Sequence, residues 1–166
     1  MLLLALGLLL SAVGLAAEPQ VLLGDWEVDQ DASEDIDDIL AARGATWLER
    51  QAIRNLPITY SFRAKGETII LTMDSPIYSR TVDLIPDNAV RTRTSSRMGA
   101  YTVRHFHDEA GALVTVSDMT LPDGVPAVFT VTRSLVDPAT MHIHWELNAE
   151  DGRQMAATRV LRREAG

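Results

Sequence analysis

From Ile58 to the end of the chain, apolar residues recur at every second position, and turn residues interrupt them at short intervals. A side-chain period of two marks strands with one buried face, and turns at this spacing mark an antiparallel meander. Ile58, Tyr60 and Phe62 share one face of the first such strand, which turns at Ala64-Lys65-Gly66-Glu67. Ile69, Leu71 and Met73 share a face of the next. Strands are then predicted over 77–84, 90–94, 100–107, 112–120, 126–135, 140–148 and 154–163. Adding one over 21–30 gives about ten short strands.

Between the first strand and Pro57 the period changes. Asp31 or Ser33 is placed to cap a helix, with Glu34, Asp35, Asp37 and Asp38 in its first turns, where negative charge suits the helix dipole. Ile36, Ile39 and Leu40 form its apolar face and Gly44 stops it. A second helix is predicted over 46–55, with Trp47, Leu48 and Ile53 as its buried side and Pro57 as terminator. A sandwich has no natural place for two helices between its first two strands. The expectation is therefore an all-β, up-and-down antiparallel barrel with a helix-turn-helix lid, and full closure removes exposed edges. Ile36, Ile39, Leu40 and Trp47 would close the lid, and Trp26 would plug the sheet where it curls.

The 166 residues suffice for one domain with a sizeable core. Met1 to Ala17 is an apolar run ending in small residues, shorter than the roughly 20 residues of a membrane span. It reads as a cleaved export signal, although no basic residue precedes it. The expected organisation is a signal over 1–17 and a single domain over 18–166, secreted or periplasmic, without stable membrane association after cleavage. The net charge of −8 excludes a nucleic-acid partner, because phosphate binding needs a dense cationic face. The absence of cysteine excludes disulfides, thiolate metal sites and a Cys nucleophile.

In the strand through Ala127, Phe129 and Val131, the same face continues to Arg133. In the last strand Met155, Ala157, Arg159 and Leu161 share a side. A guanidinium stays charged and is costly to desolvate unpaired, so two of them facing an interior call for an anion. A carboxylate with an apolar tail fits such a wall. The alternative is that each arginine lies near a barrel end and reaches water, or pairs with an internal acid.

The series Gly24-Asp-Trp-Glu-Val, then 33–44 ending in Ala-Ala-Arg-Gly, then 54–84, resembles the fatty-acid-binding and cellular retinoid-binding proteins, a branch of the calycins. Gly111-Ala-Leu-Val, Thr130-Val-Thr-Arg-Ser-Leu and Thr158-Arg-Val-Leu fall in the same family order, so the resemblance covers 23–164. It implies a ten-stranded barrel, lidded by the helix pair, that holds a fatty acid or similar lipid. It also implies that Arg133 and Arg159 hold the ligand carboxylate. The family places a Tyr two residues after the second arginine, where this chain has Leu161, and Tyr60 or Tyr101 is the candidate replacement. The expected cavity wall comprises Tyr60, Phe62, Leu71, Met73, Ile77, Leu113, Phe129, Val131, Met155 and Leu161, with polar contacts from Thr115 and Ser117. The lid lacks the lysines with which some family members meet membranes.

Two other constellations carry chemistry. His105-Phe-His107 and His142-Ile-His144 each place two imidazoles on one strand face, the spacing of a metal site on a sheet. Against it, Ile143, Trp145 and Leu147 claim the apolar side of their strand, and the two strands are not neighbours in a meander. All four histidines are expected to be solvated. The acids at Asp37 and Asp38 lie on an exposed helix start, which capping and solubility explain. The sequence thus predicts a monomeric carrier of a fatty acid-like ligand, without cofactor, metal or catalysis. A metal-binding enzyme or a structural or inhibitory barrel without ligand are the alternatives.

Overall fold

The computed structural model describes residues 17–164, so the expected signal lies outside the described residues apart from Ala17. The chain runs β1 (Gly24–Asp29), α1 (Asp37–Ala42), α2 (Trp47–Asn55), β2 (Thr59–Lys65), β3 (Thr68–Ser75), β4 (Tyr78–Leu84) and β5 (Arg91–Ser95). It continues through β6 (Gly99–His107), β7 (Leu113–Thr120), β8 (Pro126–Asp137), β9 (Thr140–Ala149) and β10 (Gln154–Arg163). All ten strands form one curled antiparallel sheet in the order β4-β3-β2-β1-β10-β9-β8-β7-β6-β5. The expected architecture is present, a meander with the helix pair after the first strand.

Closure differs from the expectation. β1 joins the two ends of the chain by pairing with both β2 and β10, but β4 and β5 stand at opposite ends of the strand order and keep free edges. Their sequences explain this. Tyr78–Leu84 turns only Val82 and Leu84 toward the core, and Arg91–Ser95 has no apolar residue, so neither strand brings a hydrophobic face across the gap.

The inner face is continuous and apolar. Trp26, Phe62, Leu71, Leu113, Met141, Ile143, Leu147 and Leu161 are almost completely buried. Register aligns them, with Phe62 opposite Leu71 and Leu161 opposite both Val28 and Met141. At one end of the sheet the segment before β1 folds underneath. Ala17 N donates to Glu109 O at 2.9 Å, Gln20 N donates to Gly111 O at 2.9 Å, and Leu22 is buried. Gly111 has a φ of +79°, and a Cβ there would sit 2.2 Å from Glu18 O, so this close crossing requires glycine.

The lid occupies the other end. α1 is shorter than expected and begins at Asp37, with Ile36 as its N-cap and no side-chain capping bond. Neither Asp31 nor Ser33 caps it. Ser33 instead accepts from Val160 N at 2.9 Å, and Glu34 exchanges bonds with Thr158, accepting from its N–H at 2.6 Å and donating its own to its carbonyl at 2.9 Å. The segment therefore extends the pairing of β1 along β10 before the helix can start. α2 carries a complete capping box between Thr46 and Glu49. Ion pairs Arg50–Asp37 and Arg54–Asp35 join the helices, and Arg97–Glu49 ties α2 to the β5–β6 turn.

Two apolar expectations are corrected here. Trp47 and Leu48 are 66% and 69% exposed, because they form the first turn of α2, and its inner side is supplied by Ile53. Ile77 is 67% exposed, because it lies in the turn before β4 rather than within the strand. Ile36, Ile39 and Leu40 are buried beneath the lid as expected.

Candidate functional site

The parity of the late strands is as the sequence predicts. Ala127, Phe129, Val131 and Arg133 point inward from β8, and Ala157, Arg159 and Leu161 from β10. Arg159 is opposite Ile143 of β9, and Ile143 is opposite Arg133, so the two arginines flank one residue in a single row. Two strand spacings put their backbones about 10 Å apart. Arg133 is 8% and Arg159 4% exposed, so neither reaches bulk water.

Their partners are neutral. Arg133 Nη1 donates to Thr115 Oγ1 at 2.9 Å, and Thr115 Oγ1 lies 3.0 Å from His105 Nδ1. A hydroxyl has one proton and two lone pairs, so accepting from Arg133 leaves the Thr115 proton free for a neutral His105. Arg159 Nη2 donates to Gln30 Oε1 at 3.0 Å, and Gln30 Nε2 donates to the carbonyls of Ile53 and Leu56 at 3.3 and 3.4 Å. The second arginine is thereby coupled to the end of α2. Nε of both arginines is buried without a hydrogen-bond acceptor, and neither pairs with a carboxylate among the described residues.

Tyr60 is buried on the inner face of β2 and feels both guanidinium charges. Burial raises the pKa of its phenol, while Arg159 and Arg133 oppose the rise. Burial pushes Arg133 down to about 10 and also lowers Arg159, with Tyr60 acting oppositely on both. Both stay cationic at neutral pH. Of the two candidate tyrosines, Tyr60 is therefore the one beside the pair. Tyr101 lies farther along, on the inner face of β6 opposite Arg93.

The remaining wall residues divide by burial. Phe62, Leu71, Leu113, Phe129, Val131 and Leu161 belong to the packed core, with Thr115 and Ser117 buried among them. Met73 and Met155 are only half-buried, as are the inward Val82, Tyr101 and Trp145. The wall is thus less tightly covered at these residues than in the core. A separate cleft of about 310 Å³ opens beside the lid, lined by Gln30, Ser33, Asp35, Leu40 and Arg50, and reaches Arg159.

Sequence reasoning missed Gln30 and misread His105. His105 is 4% exposed and faces inward with Val103, whereas all four histidines were expected in solvent. Burial, then the charges of Arg133, Arg93 and Arg91, lower its pKa to about 4. The β6 pattern gave little warning, since Tyr101, Val103 and His105 alternate with Thr102, Arg104 and Phe106, neither set clearly polar. Gln30 could have been found by extending the parity of β1 from Trp26 and Val28. His142 and His144 sit on the opposite face of β9, with two strands between it and β6, so the two His-x-His pairs do not converge. No group of three potential metal ligands occurs among the described residues.

No protein-family model and no curated sequence matches the chain. Its fold does have solved counterparts. An apo lipid-binding protein of Caenorhabditis elegans superposes with a TM-score of 0.65 at 15% identity, over 86% of this chain and 94% of that one. A Schistosoma mansoni fatty acid-binding protein in complex with arachidonic acid gives 0.64 at 16% identity, over 86% and 96%. A fatty acid-binding protein from Drosophila melanogaster brain gives 0.64 at 16%, over 86% and 99%. The chain therefore shares its fold with these lipid- and fatty acid-binding proteins.

Proposed function

We propose that the protein binds and carries a hydrophobic ligand with an anionic head, a fatty acid or similar lipid, without catalysing a reaction on it. One observation carries this reading. Two inward arginines, buried and unmatched by any acid among the described residues, flank one row of the sheet with a tyrosine nearby. A ligand carboxylate would accept from both guanidinium groups and from Tyr60, supplying the charge that the protein itself does not. The solved proteins sharing the fold are described as lipid or fatty acid binders, which supports the same class of ligand. The apolar leader supports action outside the cytoplasm, where the protein would work as a monomer, released from the membrane once the leader is cut.

Native mass spectrometry of the purified protein is expected to show a co-purified acyl chain. The double variant Arg133→Gln, Arg159→Gln is expected to weaken a fluorescent fatty acid by about a hundredfold, the loss of two charged hydrogen bonds. Unchanged affinity in that variant would sink the assignment of the head-group site. The tight packing of the apolar wall favours a second reading, a structural barrel without ligand. Absence of binding by the delipidated protein would select it.

A further inference from the structure

Seven arginines of the chain each hold a carboxylate in an ion pair. Three others, all directed inside the sheet, hold none among the described residues. Arg80 is opposite Met73 and so on the inner face of β4, and Arg93 is opposite Tyr101 and so on the inner face of β5. These strands are the two free edges, and both side chains line the opening between them. Arg43 enters from the lid, at the end of α1. Its guanidinium lies 4.0 Å from the centre of the Phe129 ring, with Nε buried and without an acceptor. Burial, then the charge of Arg80, lowers its pKa to about 10, and Tyr101 is the only group that opposes the shift. Like charges gathered round a partly dry space repel one another unless an anion lies between them.

We propose that Arg43, Arg80 and Arg93 form a second anion-binding subsite at the β4–β5 opening, so that the ligand is an amphiphile with an acidic group at each end. This rests on the carrier reading and specifies its ligand as a long-chain dicarboxylic acid. One carboxylate lies at Arg133 and Arg159 and the other beneath Arg43. Phe129 and Arg133 are four residues apart on β8, which sets the two charges about 13 Å apart along the strand. The half-buried Met73, Val82, Tyr101 and Trp145 line the apolar path between them.

Isothermal titration with dodecanoic and dodecanedioic acids, the extended diacid matching that separation, at pH 8, where all carboxyls are ionised, tests this. The diacid is expected to bind at least about tenfold more tightly than the monoacid. Arg80→Gln and Arg43→Gln are each expected to shrink that ratio several-fold, whereas Arg133→Gln weakens both acids. Arg80 is exposed, so its substitution leaves the core intact even where Arg43→Gln disturbs the lid. Equal affinities for the two acids, or an undiminished ratio in Arg80→Gln, overturn the second subsite while the carrier reading stands. Failure of both acids to bind overturns the carrier reading and this inference together.

Discussion

The side chains around Arg133 divide into those that need a ligand and those that satisfy one another. Thr115 and Gln30 are satisfied, and each holds one guanidinium in place. Tyr60 has no hydrogen-bond partner of its own among the described side chains, although it lies next to two cations. Tyr60→Phe should therefore cost little stability but weaken a fatty acid by about tenfold, the worth of one hydrogen bond to a charged group, read by titration. His105 makes the opposite prediction, a change in stability rather than binding. Its folded pKa of about 4 lies below the ordinary 6.5. Below pH 6.5 the unfolded chain takes up a proton that the folded one refuses, so its share of stability falls as pH drops from 6.5 toward 4. Denaturant midpoints across that range should decline, and His105→Gln should flatten the decline. The arginines were legible because parity in a strand is strict, and an Arg among Phe129, Val131 and Leu161 stands out. His105 was not, because its face is decided by pairing with Thr115, a contact between strands that the local pattern does not record.

Among the elements, the helices were legible in existence and vague in their ends. The sequence offers Ser33 as a cap, but an unpaired stretch of β10 competes for it and wins, since a strand edge has backbone groups to satisfy. α2 has no buried residue, so its stability rests on its capping box and on exposed ion pairs, each worth at most about 1 kcal/mol. Thr46→Ala should accordingly speed amide exchange of Trp47–Asn55 roughly fivefold while leaving global unfolding unchanged. Equal slowing or acceleration throughout the sheet would contradict a lid that opens by itself. Gly44 joins the two helices at a φ of +82°, and a Cβ there would meet the Pro122 ring at 2.8 Å. Gly44→Ala should cost at least about 1 kcal/mol, measured by denaturation, because it combines a left-handed backbone with a clash against the β7–β8 turn.

For the molecule as a whole, the number of strands and their antiparallel order could be read from alternation and turns. The free edges of β4 and β5 could not, because a meander specifies which strands follow one another and not whether the last pairs across the gap. In retrospect the polar composition of Tyr78–Leu84 and Arg91–Ser95 was the signal. Trp47 and Ile77 were misplaced for a related reason, since apolar residues at the rim of an opening need not face the core.

The underside of the sheet has a practical consequence. Ala17 and Gln20 are stitched to the β6–β7 turn, Gln20 also to β8, and Glu164 N donates to Asp25 O at 3.0 Å, so both ends of the described chain leave from that side. β7 runs from this end to the lid end, a distance of about 25 Å. A surface anchor or fusion partner fitted to either terminus would hang like a keel, with the mouth turned away from whatever holds it. Protein immobilised on a sensor through a C-terminal tag should thus take up a fatty acid at the same rate as protein free in solution, and a slower rate would place the mouth elsewhere.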